Sequence, residues 1–96
     1  MNHIVLNACI AEVSALRYTP AGLPALDLRL EHESEVEEAG QMRQVKANVK
    51  TVAVGEVAER LAQIPLGSLW KFSGFLASPS KSKNVILHIQ KFQQIS

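Results

Sequence analysis

Six basic side chains and one tyrosine form the pattern with the clearest chemical use. They are Arg17, Tyr18, Arg43, Lys46, Lys50, Lys81 and Lys83. Guanidinium and ammonium groups neutralise phosphates, and an exposed aromatic ring gives a base a surface on which to stack. With about four to six phosphate contacts, log K should fall against log salt with a slope of about −3 to −4. The pattern predicts an electrostatic, sequence-tolerant site for single-stranded nucleic acid.

The distribution of charge along the chain supports the same prediction. The net charge is only +1, but residues 1–40 contain two basic and seven acidic side chains. Residues 41–96 reverse this balance, with eight basic and two acidic side chains. Such asymmetry favours a basic surface and an anionic partner. The alternative is that the charges are scattered over a solvated surface.

Patterns for catalysis or metal binding are weak. The three histidines, His3, His32 and His88, share no ligand spacing, and Cys9 is the only cysteine. Zinc sites need four such ligands at characteristic spacings. Neither a nucleophile elbow nor a glycine-rich phosphate loop occurs. We therefore expect no metal, no cofactor and no enzymatic activity.

The sequence also shows no segment of the kind that directs a protein to or through a membrane. No apolar run approaches the roughly 20 residues of a membrane-spanning helix. The N-terminal stretch carries no early Lys or Arg, which argues against a signal peptide. We expect a cytoplasmic protein without a membrane partner.

Alternation of apolar and polar residues predicts five strands that would position the basic side chains. They cover residues 3–13, 23–32, 43–50, 68–77 and 84–90. Helical spacing of apolar residues predicts a helix over 52–64, which Pro65 and Gly67 end. The connections are predicted as a hairpin turn at 19–22, an acidic loop at 34–41 and a basic loop at 78–84.

The phase of each strand predicts the core. Even-numbered leucines, Leu26, Leu28 and Leu30, should point inward on the second strand, and Val45, Ala47 and Val49 on the third. Lys46 and Lys50 should then face away from the core. The inward positions of the last two strands are Trp70, Phe72, Gly74, Leu76, Val85, Leu87 and Ile89.

This order of elements predicts an all-β, five-stranded Greek-key OB-fold barrel with a short helix between strands three and four. The predicted domain spans residues 1–96. An SH3-like barrel or a small sandwich would also hold five short strands, but neither fits the placed helix as well. OB folds bind oligonucleotides across strands two and three, between the loops that follow strands one and four. The basic residues lie on these elements.

Several segments carry a resemblance to a known family. They are Leu16–Pro24 (LRYTPAGLP), Leu30–Ser34 (LEHES), Glu37–Gly40 (EEAG), Arg43–Gln44, Gly74–Leu76 and Leu87–His88. Over essentially its whole length the chain resembles the PriB family, small relatives of the bacterial single-stranded DNA-binding proteins. The resemblance implies OB-fold homodimers without enzymatic activity that bind single-stranded DNA and the PriA helicase at stalled replication forks. In some bacteria it also implies contact with DnaT.

The resemblance also has consequences for single residues. It implies DNA contacts for Arg17, Arg43, Lys81 and Lys83. Lys46 stands where some members stack a base on tryptophan. Three further positions depart from the family pattern: Glu33 stands where some members carry arginine, and Gln41 and Met42 where some carry an aromatic residue. Because of these departures, an OB-fold protein–protein adaptor with weak or vestigial DNA binding is the alternative function.

A homodimer is a separate expectation. Open β-edges pair readily, and a short chain gains from additional buried surface. The resemblance implies side-by-side pairing of two OB domains. We expect the first strand to contribute, through Asn2, Ile4 and Leu6, together with Phe75.

Overall fold

The computed structural model describes residues 1–95 as six strands and one helix. The elements are β1 (Ile4–Val13), β2 (Arg17–Tyr18), β3 (Pro24–Glu38), β4 (Gln41–Val54), α1 (Glu56–Leu61), β5 (Leu69–Ala77) and β6 (Ile86–Gln93).

Five long strands close into a ring. The N-terminal half of β1 pairs with β5, and its C-terminal part, from Cys9 onward, pairs with β3. β3 pairs with β4 along its whole length, β4 runs parallel to β6, and β6 returns antiparallel to β5. This is the strand order of the OB fold, with the helix between the third and fourth long strands, so the predicted fold is confirmed. The two-residue β2 adds a short edge to β3.

The core fills the ring and is closed at one end by α1. Leu26, Leu28 and Leu30 are buried in alternation along β3, as their spacing predicts. Ala58 and Leu61 bring the buried side of α1 against them. Other fully buried side chains are Ile10, Phe72 and Leu87.

Three predicted inward positions are wrong. Leu76, near the end of β5, is 38% exposed. Val85 is 56% exposed because it precedes β6 and lies in the loop. Ala47 is also exposed, since β1 leaves β3 after Glu31 and no strand lies over this part of β4. Trp70 is only partly buried, although it packs against the core.

The predicted acidic loop at 34–41 is wrong. β3 continues to Glu38 and β4 begins at Gln41, so only Ala39 and Gly40 turn the chain. Both have positive φ, 54° and 79°, which is the conformation of a two-residue hairpin turn of type I′. The result is a two-stranded extension of the ring, residues 32–47, called the ribbon below. Glutamates at alternate positions resemble a loop in composition, but backbone pairing with β4 holds them in a strand.

The predicted helix over 52–64 is too long. Its first residues belong to β4, because Val52 and Ala53 are paired with β3 on one side and β6 on the other. The helix begins only after Gly55. The later apolar residues of the pattern still face the core, since Val57 and Ile64 pack against it.

A β-bulge in β6 decides which of its side chains enter the core. Ile89 faces Gly74 and Lys91 faces Ser73, so Gln90 is the extra residue between them. The bulge shifts the phase, and Phe92 is buried together with Leu87 and Ile89. The two backbones approach closely here: a Cβ atom on Gly74 would overlap the carbonyl oxygen of His88.

Gly74→Ala should therefore destabilise the fold by about 3 kcal/mol, because the backbone carbonyl of His88 cannot rotate away from the new methyl group as a side chain could. The midpoint of urea unfolding measures this. Gly40→Ala is the matched control, since it has open space around it and loses only its preferred φ, at a cost of about 1–2 kcal/mol. Equal losses in the two variants would show that the close approach at Gly74 does not matter.

Candidate nucleic-acid interface

The outward positions of β3 and β4 form one continuous face. Since the even-numbered leucines of β3 point inward, Asp27, Arg29 and Glu33 point outward. Their cross-strand partners on β4 are Val52, Lys50 and Lys46 respectively. Lys46 and Lys50 therefore lie on the outer face, as their phase predicts. The outer face is defined here as the outward positions of β3 and β4.

A groove of about 420 Å³ lies at one end of the outer face. Its residues come from β2, β3, β4, β6, the end of β5 and the start of the β5–β6 loop: Arg17, Asp27, Val52, Val54, Ala77, Ser78, Pro79, Ile86 and His88. The groove thus combines apolar side chains with one cation. Its two ends are formed by the β2 hairpin and the β5–β6 loop, the elements that flank oligonucleotides in OB folds.

The cation of this groove is held by a carboxylate. Arg17 donates from Nε to Asp27 Oδ2 at 2.8 Å and from Nη2 to Asp27 Oδ1 at 3.1 Å. This hydrogen-bonded pair raises the pKa of Arg17 and lowers the pKa of Asp27 below its usual value, with burial opposing the shift of the carboxyl. Both side chains are about half exposed, 51% and 46%, so the pair is also accessible to solvent.

Two more of the predicted site residues are ion-paired. Arg43 donates to Glu38 at 3.0 Å, and Lys46 Nζ lies 3.8 Å from Glu33 Oε1. Lys46 and Glu33 are direct cross-strand partners, so the pairing register brings them together. Glu33 is thus a carboxylate neighbour of Lys46.

Arg29 is a cation of the outer face that the sequence pattern did not single out. Its guanidinium donates to Glu12 and Glu31, each at 3.1 Å, and to Asn48 Oδ1 at 2.7 Å. The two carboxylates raise its pKa, Glu12 more than Glu31. The sequence shows the position of Arg29 between Leu28 and Leu30. It does not show its three partners, because they come from β1, β3 and β4.

Three predicted cations remain without an ion-pair partner among residues 1–95. Lys50 lies on the outer face opposite Arg29, and Lys81 and Lys83 lie exposed in the β5–β6 loop. Lys81 has φ 65°, so this loop turns sharply at its centre. These lysines are the positions at which a phosphate meets no competing carboxylate in the described part of the chain.

Arg43 does not share the face of the other predicted cations. It lies opposite Val36 near the tip of the ribbon, in the same phase as Val45. Lys46 and Lys50 have the opposite phase. The structure therefore gathers Arg17, Lys46 and Lys50 on one side and leaves Arg43 on the other side of the ribbon.

Aromatic side chains near the groove are few. Tyr18 is 67% exposed beside Arg17 and is free to stack. Phe75, which is also an expected dimer-interface residue, is stacked on His88, with ring centroids 4.8 Å apart and planes 12° from parallel. Because His88 lines the groove, this pair is an aromatic surface that the sequence pattern did not predict.

The other predicted interface residues also have partners within the chain. The Asn2 side chain donates to the Leu76 carbonyl at 2.7 Å and accepts from the Leu76 N–H at 2.9 Å. Ile4 and Leu6 are partly buried against the core. Since β3 joins β1 only from Cys9 onward, the edge of residues 4–8 that lies away from β5 has no strand beside it in the described chain.

Among the described residues, no group of three or more histidine, cysteine, aspartate or glutamate side chains is arranged to hold a metal ion. Within the same residues, no helix has the length and apolar character needed to cross a membrane.

Comparison of the sequence with known protein families and proteins finds relatives over nearly the whole chain. A family described as "another single-strand binding protein family" matches residues 2–91. Replication restart protein PriB of Bordetella pertussis is 48% identical over 97 residues, which covers all of this chain and 91% of that protein.

Two solved structures extend the comparison to three dimensions. PriB from Ralstonia solanacearum has a TM-score of 0.91 at 30% identity, covering 100% of this chain and 99% of that one. The single-stranded DNA binding protein from Thermus aquaticus has a TM-score of 0.77 at 26% identity, covering 100% of this chain and 50% of that one.

The pKa shift of Asp27 predicts how the ion pair affects stability. Because the pKa of Asp27 is lowered in the folded state, its carboxylate stabilises the fold at pH values above its pKa in the unfolded chain, about 3.9. This contribution is lost as the pH falls through the lower pKa of the folded state. Because the pair is half exposed, its contribution at about pH 7 should be below about 1 kcal/mol. Urea unfolding of the wild type and Asp27→Asn should show a difference that shrinks below about pH 4. A difference that stays constant to low pH would contradict this origin.

Proposed function

The chain belongs to the PriB family of replication restart proteins, and from this we propose that it binds single-stranded DNA during replication restart, by binding and not by catalysis. The observation that carries the proposal is the groove between the β2 hairpin and the β5–β6 loop, flanked by unpaired lysines. A role at the chromosome would place the protein in the cytoplasm.

The arrangement of charges and apolar groups supports a path for the strand. Lys50 on the outer face and Lys81 and Lys83 in the loop offer phosphate contacts without a carboxylate competitor among residues 1–95. Val52 and Val54 give the groove an apolar surface, and Tyr18, which follows Arg17 in β2, is exposed. Bases can lie against such surfaces in any sequence, which supports binding without sequence preference.

The number of available cations sets the expected salt dependence. Each phosphate contact of a single strand contributes about −0.7 to the slope of log K against log salt. Contacts from the three unpaired lysines alone give a slope of about −2, whereas contacts from all six predicted cations give about −4. A measured slope therefore reports how many of the ion-paired cations are recruited by DNA.

The PriA helicase is the proposed protein partner, because the family to which the chain belongs is named for replication restart. We propose that the protein holds exposed template strand while it stabilises or stimulates the helicase at stalled forks. DnaT is proposed as a further partner in bacteria that have it.

The adaptor function is the second candidate, and the ion pairs favour it. Arg17, Arg43 and Lys46 are each occupied by a carboxylate, which weakens the attraction for a phosphate chain. Absence of DNA binding at low salt, together with retained binding to purified PriA, would support the adaptor over the DNA-binding function.

Substitution of both loop lysines tests the DNA-binding proposal. The double variant Lys81→Ala/Lys83→Ala should bind a labelled thymidine oligomer less tightly than the wild type. Its salt slope should be shallower by about 1.4, because two phosphate contacts are lost. Fluorescence anisotropy at several salt concentrations measures both quantities.

The matched control is Lys71→Ala/Lys91→Ala, which removes the same charge from β5 and β6 at positions that do not line the groove. It should change the affinity much less than the loop variant does. Equal effects of the two double variants would mean that net charge alone, and not the loop, governs binding.

We also propose that the chain forms a homodimer through the open edge of β1 at residues 4–8. An unpaired strand edge presents N–H and C=O groups that a second copy can pair with. In an isologous contact only residues close to the two-fold axis lie near their own copies, and an axis in the middle of residues 4–8 would put Val5 within reach of its copy. Val5 is 49% exposed on this strand and so can be changed without disturbing the core.

Val5→Asp should convert the dimer to a monomer, because it brings two carboxylates together across the contact. Sedimentation equilibrium at micromolar concentration should give twice the chain mass for the wild type and the chain mass for the variant. Val85→Asp, at a similarly exposed valine outside β1, should remain dimeric. A monomeric wild type would reject the proposed dimer.

A further inference from the structure

Carboxylates occupy most of the cations that the outer face and the ribbon present. The pairs are Arg17 with Asp27, Lys46 with Glu33, Arg43 with Glu38, and Arg29 with Glu12 and Glu31. Two of these contacts join directly opposed residues, Glu12 with Arg29 and Glu33 with Lys46. Strand register therefore brings these two pairs together, whereas Arg17, whose direct partner on β3 is Ala25, reaches Asp27 two residues further along that strand.

We propose that Asp27 is an internal competitor for the phosphate of bound DNA: its carboxylate occupies the Arg17 guanidinium in the free protein and must be displaced when a phosphodiester binds in the groove. This proposal rests on the proposed function, since it concerns the same groove. It assigns to Asp27 the role of setting the affinity of that site, while Arg17 makes the contact.

The geometry of the pair supports an exchange of this kind. Arg17 presents Nε and Nη2 side by side to the two Asp27 oxygens, at 2.8 and 3.1 Å. A guanidinium uses the same two-donor arrangement to bind two oxygens of a phosphate. A phosphodiester can therefore replace the carboxylate on the same donors, and the two anions cannot occupy them together.

The exposure of the pair sets its strength in a range that permits exchange. Both side chains are about half exposed, and ion pairs in such surroundings are weak because water and salt screen them. A phosphate that arrives with further contacts to Lys50 or to the loop lysines can overcome a competitor of this strength. A buried pair would be much harder to displace.

The displaced carboxylate remains part of the interface. Asp27 is fixed on β3, so its charge stays near the bound strand after Arg17 is released. The groove then contributes less net attraction than its one cation would alone. Removing the Asp27 charge should both free Arg17 and relieve this repulsion.

The test is a comparison of DNA binding by the wild type and Asp27→Asn. The amide is nearly isosteric but has no charge, so the variant should bind a labelled thymidine oligomer about two- to fivefold more tightly, which corresponds to the strength of an exposed ion pair. Its slope of log K against log salt should be steeper by about 0.7, because the variant gains the Arg17–phosphate contact without giving up an ion pair, whereas the wild type exchanges one for the other. Fluorescence anisotropy over a salt series measures both.

Two controls separate the release of Arg17 from a simple gain of net positive charge. Glu59→Gln changes the net charge equally, on α1, and breaks no ion pair within residues 1–95. It should leave affinity nearly unchanged. In an Arg17→Gln background, the gain from Asp27→Asn should be smaller than in the wild type, because only the relief of repulsion remains and the donor that the substitution frees is missing.

The outcomes distinguish the inference from the proposed function. Saturable binding by the wild type that Asp27→Asn leaves unchanged or weakens would overturn the inference alone. A gain of undiminished size in the Arg17→Gln background would also overturn it. Absence of binding by the wild type and by Asp27→Asn at low salt would overturn the proposed function and the inference together. Binding only by Asp27→Asn would support the inference in its strongest form.

Discussion

The continuous antiparallel pairing of β3 with β4 is the constraint on which the rest of the molecule depends. It runs from Ala25 opposite Val54 to Glu38 opposite Gln41 without a break. Side chains alternate strictly along such a ladder, so the burial of Leu26, Leu28 and Leu30 sends Asp27, Arg29 and Glu33 outward. The same register places Arg29 and Glu33 opposite Lys50 and Lys46 of β4. Asp27 lies near Arg17, the cation of β2.

The outer face therefore serves two opposed requirements. Strand pairing is more stable when opposite charges face each other, and it is destabilised when like charges do. Arg29 and Lys50 are directly opposed cations, and Arg29 is stabilised by carboxylates from β1 and β3. A face that binds a phosphate chain works better with unpaired cations. The loop lysines and Lys50 are unpaired and so meet the requirement for binding phosphate. The ion pairs at Arg17 and Lys46 meet the requirement for stable pairing.

Most of the fold could be predicted from the sequence because its signals are local. Period-two alternation in residues 24–30 places three leucines on one face, whatever lies beyond them, and a helical pattern before Pro65 places Ala58 and Leu61 on another. The errors have a tertiary cause. Residues 34–38 look like a loop because they are mostly acidic, yet pairing with β4 makes them a strand. Val52 fits a helical pattern, but two neighbouring strands hold it in β4.

The sequence by itself determined which residue types the site has to work with: cations in the first hairpin, on the third long strand and in the last loop, with one tyrosine next to the hairpin cation. The tertiary structure decided which of those cations are available. An ion pair or a ring stack needs two groups within a few ångströms, and such partners here come from separate strands, as Glu12 and Arg29 do. The stack of Phe75 on His88 depends in the same way on the register of β5 and β6, which a single bulge at Gln90 sets. Distance along the chain carries no information about such contacts, so only the closed ring of strands could reveal them.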